Sequence, residues 1–116
     1  MNFHRFVMGD NPYDSGLISY ASGIWNSDHE LSDALDDAMK WFNHHLVAPK
    51  RVPNHGVFWF KDKSKFISKS KELQDIMRKN EFVCSHICCS ELKKIWYEDK
   101  DQVIGNVSRR GWFLVE

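Results

Sequence analysis

The chain has 116 residues, and its 16 basic and 16 acidic side chains cancel to a formal net charge of zero, while 14% of its residues are aromatic. That length suits one domain and leaves no room for a second independent core. Zero net charge removes the global positive field by which proteins are held on nucleic acid, and no stretch approaches the ~20 apolar residues that cross a bilayer. Met1 to Asp10 lacks a basic segment followed by an apolar run, so no secretion signal and a cytoplasmic location are expected. Cys84, Cys88 and Cys89 are an odd cluster, which fits reduced intracellular thiols better than a disulfide framework.

In chain order, Phe3 to Met8 is available as an N-terminal strand. Asn11 to Asn26, with Pro12, Gly16 and Gly23, gives no clear pattern. Ser27 to Glu30 reads as a capping box, and behind it Leu31, Leu35, Ala38, Phe42 and Leu46 fall three or four apart on one helical face that Pro49 ends. Asp33, Asp36, Asp37 and Lys40 are then solvated. Gly56 to Lys61 is apolar on both parities, as in a central strand covered on both faces. A second helix runs from about Ser64 to Lys79, with Phe66, Ser70, Leu73 and Met77 on its apolar stripe and Asn80 suited to a left-handed cap. Phe82 to Cys89 reads as the next strand, and the strand, helix, strand order predicts Val57–Phe60 and Val83–Ile87 as a parallel pair with a right-handed crossover. Lys94–Glu98 and Gln102–Val107 form a hairpin around the three-residue turn Asp99-Lys100-Asp101. Gly111 to Val115 is one more edge strand or a loose tail. The expected fold is one α+β domain over residues 1–116, a mixed twisted sheet of about four or five strands with two helices in the order β-α-β-α-β-β-β. Phe42, Phe58, Trp59, Phe60, Phe66 and Phe82 belong to its core, whereas Trp25, Trp96, Tyr97 and Trp112 fall outside it.

Cys84, His86 and Cys88 share one face of a strand, which invites a metal reading. At ~3.3 Å per residue the outer two stand about 13 Å apart, too far to share one zinc at ~2.3 Å from each thiolate. Only adjacent members could chelate together, with further donors from elsewhere, His44, His45 and His55 being available. Buried structural thiols are the favoured reading, and no metal or cofactor is expected. A cysteine nucleophile needs a base aimed at it from a site open to substrate. His86 projects beside Cys84 and Cys88 instead, so no catalytic residue is assigned. His44-His45 suits the negative end of a helix dipole. Lys61, Lys63, Lys65, Lys69 and Lys71 interleave with aromatic residues as in a single-strand stacking platform, but a core strand beside a solvated lysine face explains the pattern better. Gly-rich phosphate loops, G-x-S-x-G and H-E-x-x-H are all missing from the sequence.

Trp41-Phe42-Asn43 with Leu46 and Pro49, Gly56-Val57-Phe58-Trp59-Phe60-Lys61, and Tyr97-Glu98-Asp99 with Gln102-Val103 resemble segments of a family of small bacterial proteins of uncharacterised function. The resemblance spans roughly Leu31 to Val103 and implies a bacterial or phage origin and the order of elements, with no catalytic residue. Such relatives carry Pro-Gly before the hairpin, where this chain has Ser90-Glu91-Leu92. Lys61 leaves a central strand where a helix begins, the usual place for a crevice, and Tyr97, Glu98, Asp99 and Gln102 cluster at a turn. With Trp96 and Trp112 they make up the expected binding residues. The expected function is a non-enzymatic interaction or regulatory module with a protein partner, of inhibitor or immunity type. A small-molecule or nucleotide binder ranks second, and a single-stranded nucleic-acid binder or an unrecognised enzyme third.

Overall fold

The computed structural model describes residues 1–47, 49, 52–53 and 56–115. His55, named above as an available donor, and the basic pair Lys50-Arg51 lie outside the described residues. The elements are β1 (Phe3–Met8), α1 (Leu17–Trp25), α2 (Ser32–His45), β2 (Val57–Lys61), α3 (Lys65–Lys79), β3 (Cys84–Cys89), β4 (Lys94–Glu98), β5 (Gln102–Asn106) and β6 (Trp112–Val115). The fold is α+β, as the sequence implies, but the described residues form three helices and one six-stranded sheet in the order β4-β5-β2-β1-β3-β6.

The sheet is antiparallel throughout, which corrects the mixed sheet and the parallel neighbours. β2 and β3 both run antiparallel to β1, so they do point the same way, as the crossover requires. They are not hydrogen-bonded to each other because β1 is inserted between them. Its middle residues Arg5, Phe6 and Val7 are buried on both parities, as a central strand requires.

α3 begins as its sequence dictates, with the Ser64 hydroxyl accepting the Phe66 amide at 3.2 Å. Its C-terminus differs from expectation: Asn80 has φ of −107°, and the left-handed residue is Glu81 at +70°. The capping box at Ser27 does not form either. Ser27 Oγ donates to the Ile24 carbonyl at 2.7 Å, closing α1, and α2 starts only at Ser32. α1 occupies the segment without a clear pattern.

Phe6 and Phe60 on the sheet join Leu17, Leu35, Phe42, Phe66, Leu73 and Met77 of the helices in the main core. Side chains of opposite parity, Val7, Trp59, Ile87 and Cys89, form a second cluster with Val107, against which Leu92 and Trp112 pack. Trp59, fully buried, donates its indole N–H to the Gly105 carbonyl at 3.3 Å. Both faces of the Gly56-to-Lys61 strand are thus covered at its centre. Among the six aromatic residues assigned to the core, Phe42, Trp59, Phe60 and Phe66 are buried, while Phe58 and Phe82 are half-buried. Among the described residues, no helix is long and apolar enough to cross a membrane.

Candidate metal centre

The β1–β3 ladder places His4 directly opposite Cys88 and Phe6 opposite His86. Because side chains alternate along a strand, His4, His86 and Cys88 project from one face, and partners across an antiparallel ladder have Cβ atoms only about 4.5–5.5 Å apart. His4 Nδ1 lies 2.9 Å from His86 Nε2 and 3.1 Å from Cys88 Sγ, and Cys88 Sγ lies 3.6 Å from His86 Nε2. Three ligand atoms therefore converge on one point. Two donors on a tetrahedral ion, at 2.0–2.3 Å from it, stand roughly 3.3–3.6 Å apart, so a few tenths of an ångström of opening would seat one.

A fourth residue orients the first. Asp62, just past the end of β2, meets His4 Nε2 at 2.5 Å. A carboxylate can only accept, so Nε2 carries a proton, and in the neutral ring this leaves the Nδ1 lone pair facing the cluster. Asp62 is itself pinned: its other oxygen accepts the Asn2 amide at 2.6 Å, while its own amide donates to the Asn2 carbonyl at 3.2 Å. The Asn2 amide, and then His4, hold the Asp62 carboxyl below its usual range.

Burial sets the protonation of the other two. His86 is 5% exposed and stacks on Phe6 at 4.2 Å between ring centres. Burial, then the neighbouring His4 and Lys71, push its pKa down to about 4, so the ring is neutral at physiological pH. Burial, and secondarily Asp62, push the Cys88 thiol up to about 11. A neutral imidazole binds metal without losing a proton, whereas the thiol must release one. The same raised pKa argues against Cys88 as a nucleophile, and burial raises the Cys84 and Cys89 thiols too.

Cys84 stays apart from the cluster, its thiol contacting the Gln74 carbonyl at 3.8 Å. The outer cysteines thus cannot share one ion, as the strand rise dictates, whereas His86 and Cys88, the adjacent pair, lie close enough to chelate together. His4 is the donor that sequence reasoning missed. Neither His44 nor His45 takes part: His45 stacks on Trp41 at 4.3 Å and its Nδ1 contacts the Trp41 carbonyl at 2.8 Å.

The seven expected binding residues are only partly brought together. Lys61 reaches across β5 to pair with Glu98 at 2.5 Å. The Tyr97 hydroxyl donates to Asp99 at 2.8 Å, and the other Asp99 oxygen accepts the amides of Asp101 and Gln102, each at 2.8 Å. Burial alone would raise the Asp99 carboxyl, but these bonds outweigh it and hold it below its ordinary range. This is turn chemistry of the kind that explains the acidic pair without a ligand. Tyr97, Asp99 and Gln102 do line one shallow depression. Trp96 lies at the bulge of β4, under the Lys94 ammonium at 5.0 Å, and Trp112 lies on β6 at the other end of the sheet, its indole N–H on the Arg109 carbonyl at 3.2 Å. Of the aromatic residues beside the lysine row, Trp59, Phe60 and Phe66 are too deeply buried to stack bases, while Phe58 is half-buried.

No protein-family model, curated protein or solved structure matches the chain.

Proposed function

We propose that this chain is a small non-enzymatic regulatory or interaction module whose fold is locked by one zinc-class ion held by His4, His86 and Cys88. One observation carries the reading: three ligand atoms from two adjacent strands converge within 3.6 Å on a buried face. Two imidazoles and a thiolate suit zinc, with copper the stronger competitor by intrinsic affinity. Calcium and magnesium would need oxygen ligands instead. The carboxylate behind His4 repeats the outer-shell arrangement that fixes ring orientation at zinc sites.

A structural role fits the burial. His86 and Cys88 are 5% and 3% exposed, which restricts access for a substrate. An ion there ties β1 to β3 and, through Asp62, to the end of β2, so occupancy is read as stability. At a hundred times its dissociation constant the ion would add about 2.7 kcal/mol. Equilibrium dialysis against micromolar zinc, followed by metal analysis, should find one zinc per chain and little in Cys88→Ser. Equal zinc in both proteins, or none in either, would refute the reading.

A second reading, contact with a protein partner, draws on the sheet edge at β6, where Phe113 and Leu114 are each 50% exposed. They project to opposite faces, so the strand offers both backbone and apolar side chains to an added strand. Phe113→Lys would weaken such contact without touching the core.

A further inference from the structure

The fork between β1 and β2 holds a feature the metal reading does not use. The two strands pair only at Phe3↔Lys61 and His4↔Phe60, after which Val7 bridges to Gly16 instead. Arg5 fills the fork. Its Nε donates to the Pro12 carbonyl at 2.6 Å, Nη1 to the Phe58 carbonyl at 3.2 Å and Nη2 to the Asp14 carbonyl at 2.9 Å.

All three acceptors are neutral. Arg5 is 8% exposed, yet no carboxylate lies within ion-pair distance of it among the described residues. The Asp14 carboxylate acts on Arg5 only through space, since it spends an oxygen on the amides of Asp10 and Asn11 at 3.1 and 3.0 Å. Buried cations are ordinarily paired, and two of the five guanidinium N–H groups remain to be used. Burial lowers the Arg5 pKa to about 10, so the group stays a cation at neutral pH.

A second positive feature meets it. α1 starts at Leu17 with Gly16 as its N-cap, so no side chain caps it, and its first turn holds no acidic residue. The first-turn amides of a helix have no acceptor within it, and they carry the positive end of its dipole. A Cβ built on Gly16 would stand 3.7 and 3.8 Å from the two terminal nitrogens of Arg5. The guanidinium and the helix N-terminus therefore face one spot.

That spot opens on a cavity of about 370 Å³ lined by Arg5, Gly16 and Leu17, with Met39, Phe42, Phe58 and Phe60 among its mainly apolar walls and Ser19, Ser22, Asn43 and Gln102 as its other polar lining. None of the metal-cluster residues lines it. At about 30 Å³ per water-sized group, it accommodates roughly twelve heavy atoms, within the range of small-ligand pockets.

We propose that this cavity binds a monocarboxylate with an apolar body, its carboxylate held by Arg5 and the first-turn amides of α1 and its chain lying among Met39, Phe42, Phe58 and Phe60. One carboxylate supplies the directly bonded negative partner that Arg5 lacks, and a charge-assisted pair with a guanidinium is among the stronger hydrogen-bonded contacts. The apolar walls favour a hydrocarbon body over a sugar or nucleotide.

The test uses decanoate, kept below its micelle threshold, against 1-decanol as its uncharged counterpart, with titration calorimetry as readout. Decanoate should bind once per chain, and more tightly than the alcohol by roughly ten-fold or more. Arg5 also supports the fold, so the informative variant is Gly16→Asp, which places a carboxylate at the N-cap beside Arg5. This variant should melt at a higher temperature and lose decanoate affinity by roughly ten-fold or more. Equal affinity for acid and alcohol, absence of decanoate binding, or unchanged binding in Gly16→Asp would overturn the proposal.

Discussion

His4 and Cys88 face each other across the β1–β3 ladder with Nδ1 and Sγ 3.1 Å apart, although 84 positions separate them in sequence. Asp62 turns that contact into a directed one, because its bond to Nε2 leaves only Nδ1 to point at the thiol.

Asp62→Asn should therefore weaken zinc binding by about 10–100-fold, as outer-shell substitutions do, while the protein stays folded. Competition with a chromophoric chelator measures the change, and circular dichroism checks the fold. An unchanged affinity would mean that Asp62 does not orient the ligand.

Acid should destabilise the chelator-treated protein within a defined window. Burial, His4 and Lys71 lower His86 from the ordinary 6.5 to about 4, so the unfolded chain binds a proton that the folded chain refuses. Stability is complete above pH 6.5 and is lost as the pH falls from there toward 4, by up to about 3 kcal/mol. Asp62 has its carboxyl lowered, so its contribution is lost only below the ordinary carboxylate range. Urea melts at pH 7.5 and 4.5 should differ far less in His86→Gln than in the parent. Equal losses in the two proteins would assign the acid lability to other groups.

Two glycines should respond to alanine with opposite signs. A Cβ on Gly105 would meet the Lys94 carbonyl at 2.6 Å, where β4 bulges, and Leu92 at 3.2 Å. That clash is with backbone and should cost about 1–3 kcal/mol. Gly23 lies inside α1 with nothing within 4 Å of its Cβ position, so Gly23→Ala should stabilise by about 0.5–1 kcal/mol. Urea midpoints separate the two, and a stabilising Gly105→Ala would contradict the close β4–β5 approach.

What could be read in the sequence was local. The Ser64 cap with its helical stripe and the Asp99-Lys100-Asp101 turn announce themselves over a few residues, and α3 and the β4–β5 hairpin lie where those signals put them. α1 was hidden because Gly16 and Gly23 weaken a helical pattern that supplies only Leu17 and Ala21 as buried residues. The place of β1 was hidden for another reason: a crossover sets the relative direction of β2 and β3 but not whether a third strand lies between them. The metal cluster depends on that insertion. His86 and Cys88 were visible as a pair on one strand, whereas His4 joins them only through the ladder that β1 forms.

The most direct test of the metal centre is a cobalt(II) titration of the intact chain, because cobalt reports ligand type and geometry at a zinc-class site. One equivalent should produce thiolate-to-metal charge-transfer absorption with visible bands of a four-coordinate ion, water taking the position that the three side chains leave open, and zinc should abolish both. The thiolate band should be missing in Cys88→Ser, and the visible bands should weaken in His4→Ala. A spectrum like that of the aqueous ion, or a thiolate band that persists in Cys88→Ser, would contradict the site at His4, His86 and Cys88.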